Sequence, residues 1–186
     1  MNRNELKLIA ENLIETFEIA GKESVDIYKK GLIIKIKADK SPVSNGDLKV
    51  NELICNKIRN LTPNIPIISE ETVNLKLKNN AKIFWLIDPI DGTKEYIAGK
   101  DEYTLNAALI VDQKPVIGLV GVPKKKQLFY SFGLGDSFLK ENGKIENINC
   151  SKKTPKNQII ALTSISKPSE IVLDKLKQFK VTSMVK

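Results

Sequence analysis

The chain has 186 residues, with 30 Lys and Arg against 22 Asp and Glu for a formal net charge of +8, and it contains no histidine. That length allows one large or two small domains with a real core, and 41% hydrophobic against 28% charged residues is too apolar for a disordered chain. Without imidazole, Ser-His-Asp and Cys-His catalysis are excluded, as are most zinc, non-haem iron and copper sites.

Further classes fall away on local pattern. No run approaches the roughly 18 apolar residues of a membrane span. The N-terminal MNRNELKLIAENLIETF interleaves acids and amides with its apolar residues, unlike a secretory leader, so a cytoplasmic protein is expected. Cys55 and Cys150 have no CxxC spacing, which argues against a disulfide framework or a zinc knuckle. No GxxxxGKS or GxxxxGKT occurs, and Gly133 with Gly135 lacks the third glycine of a GxGxxG. Residues 1–93 carry a basic surplus of 1 and residues 94–186 a surplus of 7. Arg occurs only at positions 3 and 59, and only the lysine run at 124–126 resembles a patch, so no nucleic-acid polymer is expected as partner.

In chain order, Leu6, Ile9, Ala10, Leu13, Ile14, Phe17 and Ala20 recur at helical spacing, predicting an amphipathic helix over 4–29. GLIIKIKAD then alternates like a half-buried strand and leads into the turn-rich KSPVSNGD. From Asp47 a second helix is predicted, ended by Thr62-Pro63. Ile65 to Ser69 reads as a strand delivering Glu70 and Glu71, NLKLKNNAK as a polar loop, and IFWLID as a buried central strand ending at Asp88. After the DPIDGTKEYIAG turn, TLNAALIV, PVIGLVGV and QLFYSF predict an antiparallel meander. Past Cys150 come a polar connector, a buried strand at IIALT, a helix at PSEIVLDKLKQF opened by Pro in its first turn, and a strand beginning at VTSM. The expected domains are therefore 1–150, an α+β metal-binding unit, and 151–186, the incomplete start of a second α/β unit.

DPIDGT, residues 88–93, is the most informative segment. It follows a strand, turns tightly through Pro and Gly, and presents Asp88 and Asp91 with the Ile90 carbonyl between them and the Thr93 hydroxyl beyond. A hard cation such as Mg²⁺ takes a few carboxylate oxygens together with water and substrate phosphate. Backbone amides at Gly92 and Thr93 suit an anion-binding nest. Taken singly, Asp47 reads as a helix cap, Glu70-Glu71 as solvated, and DP and DG pairs as ordinary turns. Three acidic clusters at element ends in a histidine-free chain favour the metal reading.

These residues resemble the Mg²⁺-dependent, lithium-sensitive inositol monophosphatase family. The resemblance rests on Trp85-Leu-Ile-Asp88-Pro-Ile-Asp91-Gly92-Thr93, on Ser69-Glu70-Glu71, and on Ser41-Pro42-Val43 leading to Asp47. Lys94-Glu95-Tyr96 after the DGT is similar to the CysQ-type 3′(2′),5′-bisphosphate nucleotidase branch. The resemblance implies a layered α/β/α/β/α sandwich and two or three Mg²⁺ ions. It implies Glu70, Asp88, the Ile90 carbonyl and Asp91 as metal ligands, and Asp47 and Thr93, with Glu70, as the groups that activate water. Glu70, Ile90, Asp91, Gly92 and Thr93 would meet the substrate. The implied reaction removes the 3′-phosphate of 3′-phosphoadenosine 5′-phosphate, giving AMP and phosphate, a step that clears a by-product of sulfate activation. An inositol or sugar monophosphatase, and a catalytically silent truncated product, are the alternatives. Family members continue for several tens of residues with a downstream Trp-Asp segment, whereas Trp85 is the only tryptophan here, so a chain incomplete at its C-terminus is expected. Ser164-Ile165-Ser166-Lys167 also stands where CysQ-type relatives often have Ser-Arg-Ser-His. A homodimer and a peripheral position at the cytoplasmic face of the inner membrane stay open.

Overall fold

The computed structural model describes residues 1–72, 81–150, 159–162 and 169–185. It divides into two units, Met1–Ile148 and Asn149–Lys186. The first opens with helix α1 (Arg3–Lys30), whose Asn2 cap accepts from the Glu5 amide while the Glu5 side chain accepts from the Asn2 amide. Strands β1 (Ile34–Ile36) and β2 (Pro42–Ser44) form an antiparallel pair that runs into helix α2 (Asn45–Leu61). Strand β3 (Ile67–Ser69) passes through a 3-10 turn at Glu70–Thr72, and β4 (Ile83–Asp91) leads into the short helix α3 (Thr93–Ile97). The meander follows as β5 (Thr104–Val111), β6 (Lys114–Val122), β7 (Gln127–Phe132), β8 (Ser137–Glu141) and β9 (Lys144–Asn147).

Strands β3 to β9 lie in sequence order in one seven-stranded mixed sheet, antiparallel throughout except for the parallel β3–β4 pair. Only that pair needs a crossover, because antiparallel neighbours return directly, β4 to β5 through the turn that carries α3 and the rest through short connections. Alternate sheet residues such as Trp85, Ile87, Leu105, Leu109, Ile117 and Leu119 are buried in one cluster with Leu13, Phe17, Ile54 and Ile58 of the two long helices. The packing is pinned by polar links. Trp85 Nε1 donates to Thr62 Oγ1 (3.0 Å) at the end of α2, and Ser69 Oγ donates to Asn51 Oδ1 (2.6 Å), which also accepts from Cys55 Sγ (3.2 Å). These links fix the end of β3 and the first half of β4 against α2.

The second unit contains β10 (Ile160–Leu162), helix α4 (Glu170–Gln178) and β11 (Ser183–Val185), with β10 and β11 parallel. No helix among the described residues is long and apolar enough to cross a membrane.

The α+β class and the meander are as expected, and several elements differ in detail. β1 is short and exposed rather than half-buried, and among the described residues it pairs with β2 alone, outside the seven-stranded sheet. β4 is buried on one face only, with Leu86 48% exposed, and it runs on to Asp91 past a register shift after Asp88. Helix α2 begins at Asn45 with Ser44 as its cap, so Asp47 is its third residue. The expected buried strand near residue 160 is exposed at Ile160 and Leu162. Helix α4 is capped by the Ser169 hydroxyl rather than opened by proline in its first turn. Strands β8 and β9 extend the meander. Most of the predicted loop at 74–82, most of the connector at 149–158 and the segment 164–167 lie outside the described residues.

Candidate metal and phosphate site

Four chain segments of the first unit meet where β4 ends. The start of α2 brings Asp47, which is 1% exposed. Its Oδ2 accepts from the Ser44 amide (2.8 Å) and hydroxyl (2.5 Å), while the Gly46 amide donates back to Ser44 Oγ (3.1 Å). This capping box satisfies free amides of the helix end and holds the carboxylate in one orientation. Its other oxygen, Oδ1, accepts from Thr93 Oγ1 (3.0 Å), which also lies 3.1 Å from the Ile90 carbonyl oxygen. A hydroxyl has a single proton, so Thr93 shares it between the two acceptors or alternates between them. Asp47 is thus both a cap residue and a member of the site.

The register shift after Asp88 lets the strand deliver Asp88, Ile90, Asp91 and Gly92 within one short stretch. Gly92 has φ +93°, and an added Cβ would sit 2.9 Å from the Glu102 carbonyl oxygen, so both backbone and space require glycine there. The next helix is locked by Tyr96, whose hydroxyl donates to the Ser24 carbonyl of α1 (2.6 Å) and whose ring packs on Tyr103 (centroids 4.8 Å apart). Gly46 faces that same ring so closely that any Cβ would collide with it. One buried tyrosine therefore ties α1, the Asp47-bearing start of α2 and the turn together. Lys94-Glu95-Tyr96, read from sequence as a branch marker, thus includes one residue that is core.

The electrostatics centre on Asp88. Burial first, then the negative charges of Glu70 and Asp91 and a hydrogen bond with Glu70, push its carboxyl up to about 7. Asp88 Oδ1 is buried without a hydrogen-bond partner. Such an atom is costly in a protein interior unless something compensates it. Glu70 and Glu71 follow β3, and Lys37 Nζ bridges them at 3.0 and 2.8 Å. Burial raises the carboxyl pKa of Glu71, an effect that Lys37 only partly offsets. Burial alone would lower the Lys37 pKa, but its bonds to Glu71 and Glu70 outweigh that and raise it. Lys37 was invisible as a site residue in the sequence. It is one lysine in an alternating apolar run, and only the β1–β2 pair carries it to carboxylates 33 and 34 residues away.

The candidate donors are all oxygen: Glu70, Asp88, Asp91 and the Ile90 carbonyl. Among the described residues no three His, Cys, Asp or Glu side chains form a ready-made metal cage, although Glu70 and Asp91 both act on Asp88. The two observations agree for Mg²⁺, which is usually held by one or two carboxylates with water and substrate phosphate rather than by an all-protein cage. The orphaned Asp88 oxygen fits the same ion. All seven residues singled out from sequence lie on these segments, and hydrogen bonds and charge couplings join six of them into two groups, Asp47–Thr93–Ile90 and Asp88–Glu70–Asp91, with Gly92 as the turn residue between Asp91 and Thr93.

Residues 5–185 match the model of the inositol monophosphatase family. The chain is 32% identical over 168 residues to the 3′(2′),5′-bisphosphate nucleotidase CysQ of Escherichia coli O6:H1, covering 89% of this chain and 68% of that protein. It superposes on the crystal structure of CysQ from Bacteroides thetaiotaomicron with a TM-score of 0.72 at 25% identity, over 94% of this chain and 71% of that one. An IMPase/NADP phosphatase complexed with Mg²⁺ and phosphate shares the fold with a TM-score of 0.70 at 19% identity, over 96% and 65% of the two chains. The oxygen-rich turn after β4 stands in a fold shared with these proteins, and the chain belongs to the inositol monophosphatase family.

Proposed function

We propose that this chain is a Mg²⁺-dependent phosphoric monoester hydrolase that removes the 3′-phosphate of 3′-phosphoadenosine 5′-phosphate. The observation that carries the reading is the buried, unpartnered Asp88 oxygen on a carboxyl coupled to Glu70 and Asp91, in the same turn as Thr93 with its hydrogen bond to Asp47. The likeness to a bisphosphate nucleotidase at 32% identity supports the substrate, and the fold shared with an IMPase/NADP phosphatase complexed with Mg²⁺ and phosphate supports the cofactor. A cytoplasmic location and a small phosphorylated substrate go with this reading.

Glu70, Asp88, Asp91 and the Ile90 carbonyl would hold the cation. Bound Mg²⁺ would neutralise phosphate charge and make water a competent nucleophile near neutral pH. The protein's own part is proton handling and orientation. When Thr93 Oγ1 donates to Asp47 Oδ1, its lone pairs are free to accept the proton of the attacking water. The Ser44 amide and hydroxyl keep the Asp47 carboxylate aimed as it takes up positive character from Thr93. The amides of Gly92 and Thr93, at the start of α3, are the proposed contacts to phosphate oxygens.

The test is a phosphatase assay on the purified chain with 3′-phosphoadenosine 5′-phosphate and inositol 1-phosphate, each with Mg²⁺ and with EDTA. The expected result is a higher kcat/KM for the nucleotide, abolished by EDTA and inhibited by millimolar Li⁺. Undiminished turnover in EDTA would overturn the metal reading. Equal or reversed values for the two substrates would move the chain to the inositol monophosphatase branch.

A further inference from the structure

A cavity of about 480 Å³ lies along α1 in the first unit, walled by the C-terminal half of that helix and by the β6–β7 connection. None of the residues assigned to the metal and phosphate site lines it. Its volume falls in the range of small-molecule sites, about 300–1,000 Å³. The floor is apolar, with Phe17, Val25, Pro123 and Leu128, and the rim carries five lysines against two acids.

The charges on that rim are not equivalent. Lys140 is paired with Glu18 (2.6 Å), and Lys124 with Asp101 (3.5 Å) while lying over the Tyr28 ring. Lys22, Lys29 and Lys126 make no ion pair among the described residues. Three free ammonium groups thus face one unpaired carboxylate, Asp26, above an apolar floor. Gly21 contributes a second observation. It sits inside α1 at ordinary helical φ, where glycine costs about 1 kcal/mol relative to alanine. A methyl there would make only ordinary contacts with Pro123, at 3.5 to 3.7 Å. Packing does not require this glycine, and its missing side chain keeps the floor open.

We infer that this cavity binds a compact amphipathic anion, an apolar body carrying a phosphate, sulfonate or carboxylate. The body rests on Phe17, Val25 and Pro123, and the anionic group meets Lys22 and Lys126. A half-open cavity of this volume suits a small molecule rather than a polymer chain. This inference does not depend on the proposed reaction.

The probe is 8-anilino-1-naphthalenesulfonate, with neutral N-phenyl-1-naphthylamine as its uncharged counterpart. Amide chemical shifts measured by NMR should move for residues 17–29 and 121–128 as the sulfonate is added, and binding should saturate at one site. The exposed pair Lys22→Glu and Lys126→Glu should weaken the sulfonate at least tenfold while changing the neutral probe less than twofold. Gly21→Leu, which fills the floor, should weaken both. Shifts confined to other surfaces, or an unchanged sulfonate affinity in the lysine double variant, would overturn the inference. So would an equal loss for both probes in that variant.

Discussion

Helices α2 and α4 are built alike and end differently. Each is amphipathic and opens on a serine cap, Ser44 in one and Ser169 in the other. Yet α2 buries Val50, Ile54, Cys55 and Ile58 against the seven-stranded sheet, whereas α4 buries no residue and leaves Ile171 75% and Phe179 68% exposed. Periodicity and capping are local properties and suffice to form a helix. Burial needs a partner surface, and in the first unit the meander supplies one. Stability and the candidate site should therefore both reside in residues 1–148.

The largest expected effect concerns the site. Asp91→Asn removes one negative oxygen from the exposed end of β4 and should leave the fold intact while lowering kcat by about a hundred- to a thousandfold, the range for losing one preorganised electrostatic contact. Near-normal turnover of that variant, measured at saturating Mg²⁺, would detach the chemistry from this turn. Next comes matched truncation of the two helices. Ile54→Ala should cost about 2–5 kcal/mol in urea unfolding, as expected for a large-to-small change in a packed core. Leu176→Ala in α4 should cost less than about 1 kcal/mol. Similar costs would show that α4 is as integrated as α2 and would break the comparison.

A smaller effect follows from Asp88. Its folded carboxyl titrates near 7, against an ordinary value of about 3.8, so between those values the folded state holds a proton that the unfolded chain has released. Without metal, stability should therefore fall as pH rises from about 4 to about 8 and level off above that. Asp88→Asn should remove this part of the slope and raise the melting temperature in EDTA at pH 8 by a few degrees, with little change at pH 4. An identical pH slope in the variant would mean that the carboxyl is not strained by its neighbours.

Much of this was legible in the sequence because it is local. The two long helices follow from apolar spacing and caps, and DPIDGT from the coincidence of strand, turn residues and paired carboxylates. Strands β8 and β9 are not among the predicted elements, although Asn142-Gly143, both at positive φ, is a strong hairpin signal between them. What could not be read is non-local. The Thr93–Asp47 bond spans 46 residues and the Tyr96–Ser24 bond spans 72, and neither has a periodic signature. Burial of single residues is non-local for the same reason. IFWLID and IIALT are both apolar runs, and only the helices packed on the sheet decide which side chains of the first leave water.

The Asn51 side chain that accepts from Ser69 also accepts from the Cys55 thiol, and this bears on the chemical behaviour of the protein's two thiols. Cys55 is 1% exposed, and burial raises its pKa, so little reactive thiolate is present or accessible in the folded chain. Cys150 is exposed. A thiol reagent should thus modify one sulfur promptly and the other only when α2 separates from β3 and β4. Because α2 also carries Asp47, the rate of the slow labelling phase is a clock for the lifetime of the assembled site, readable with neither substrate nor metal present.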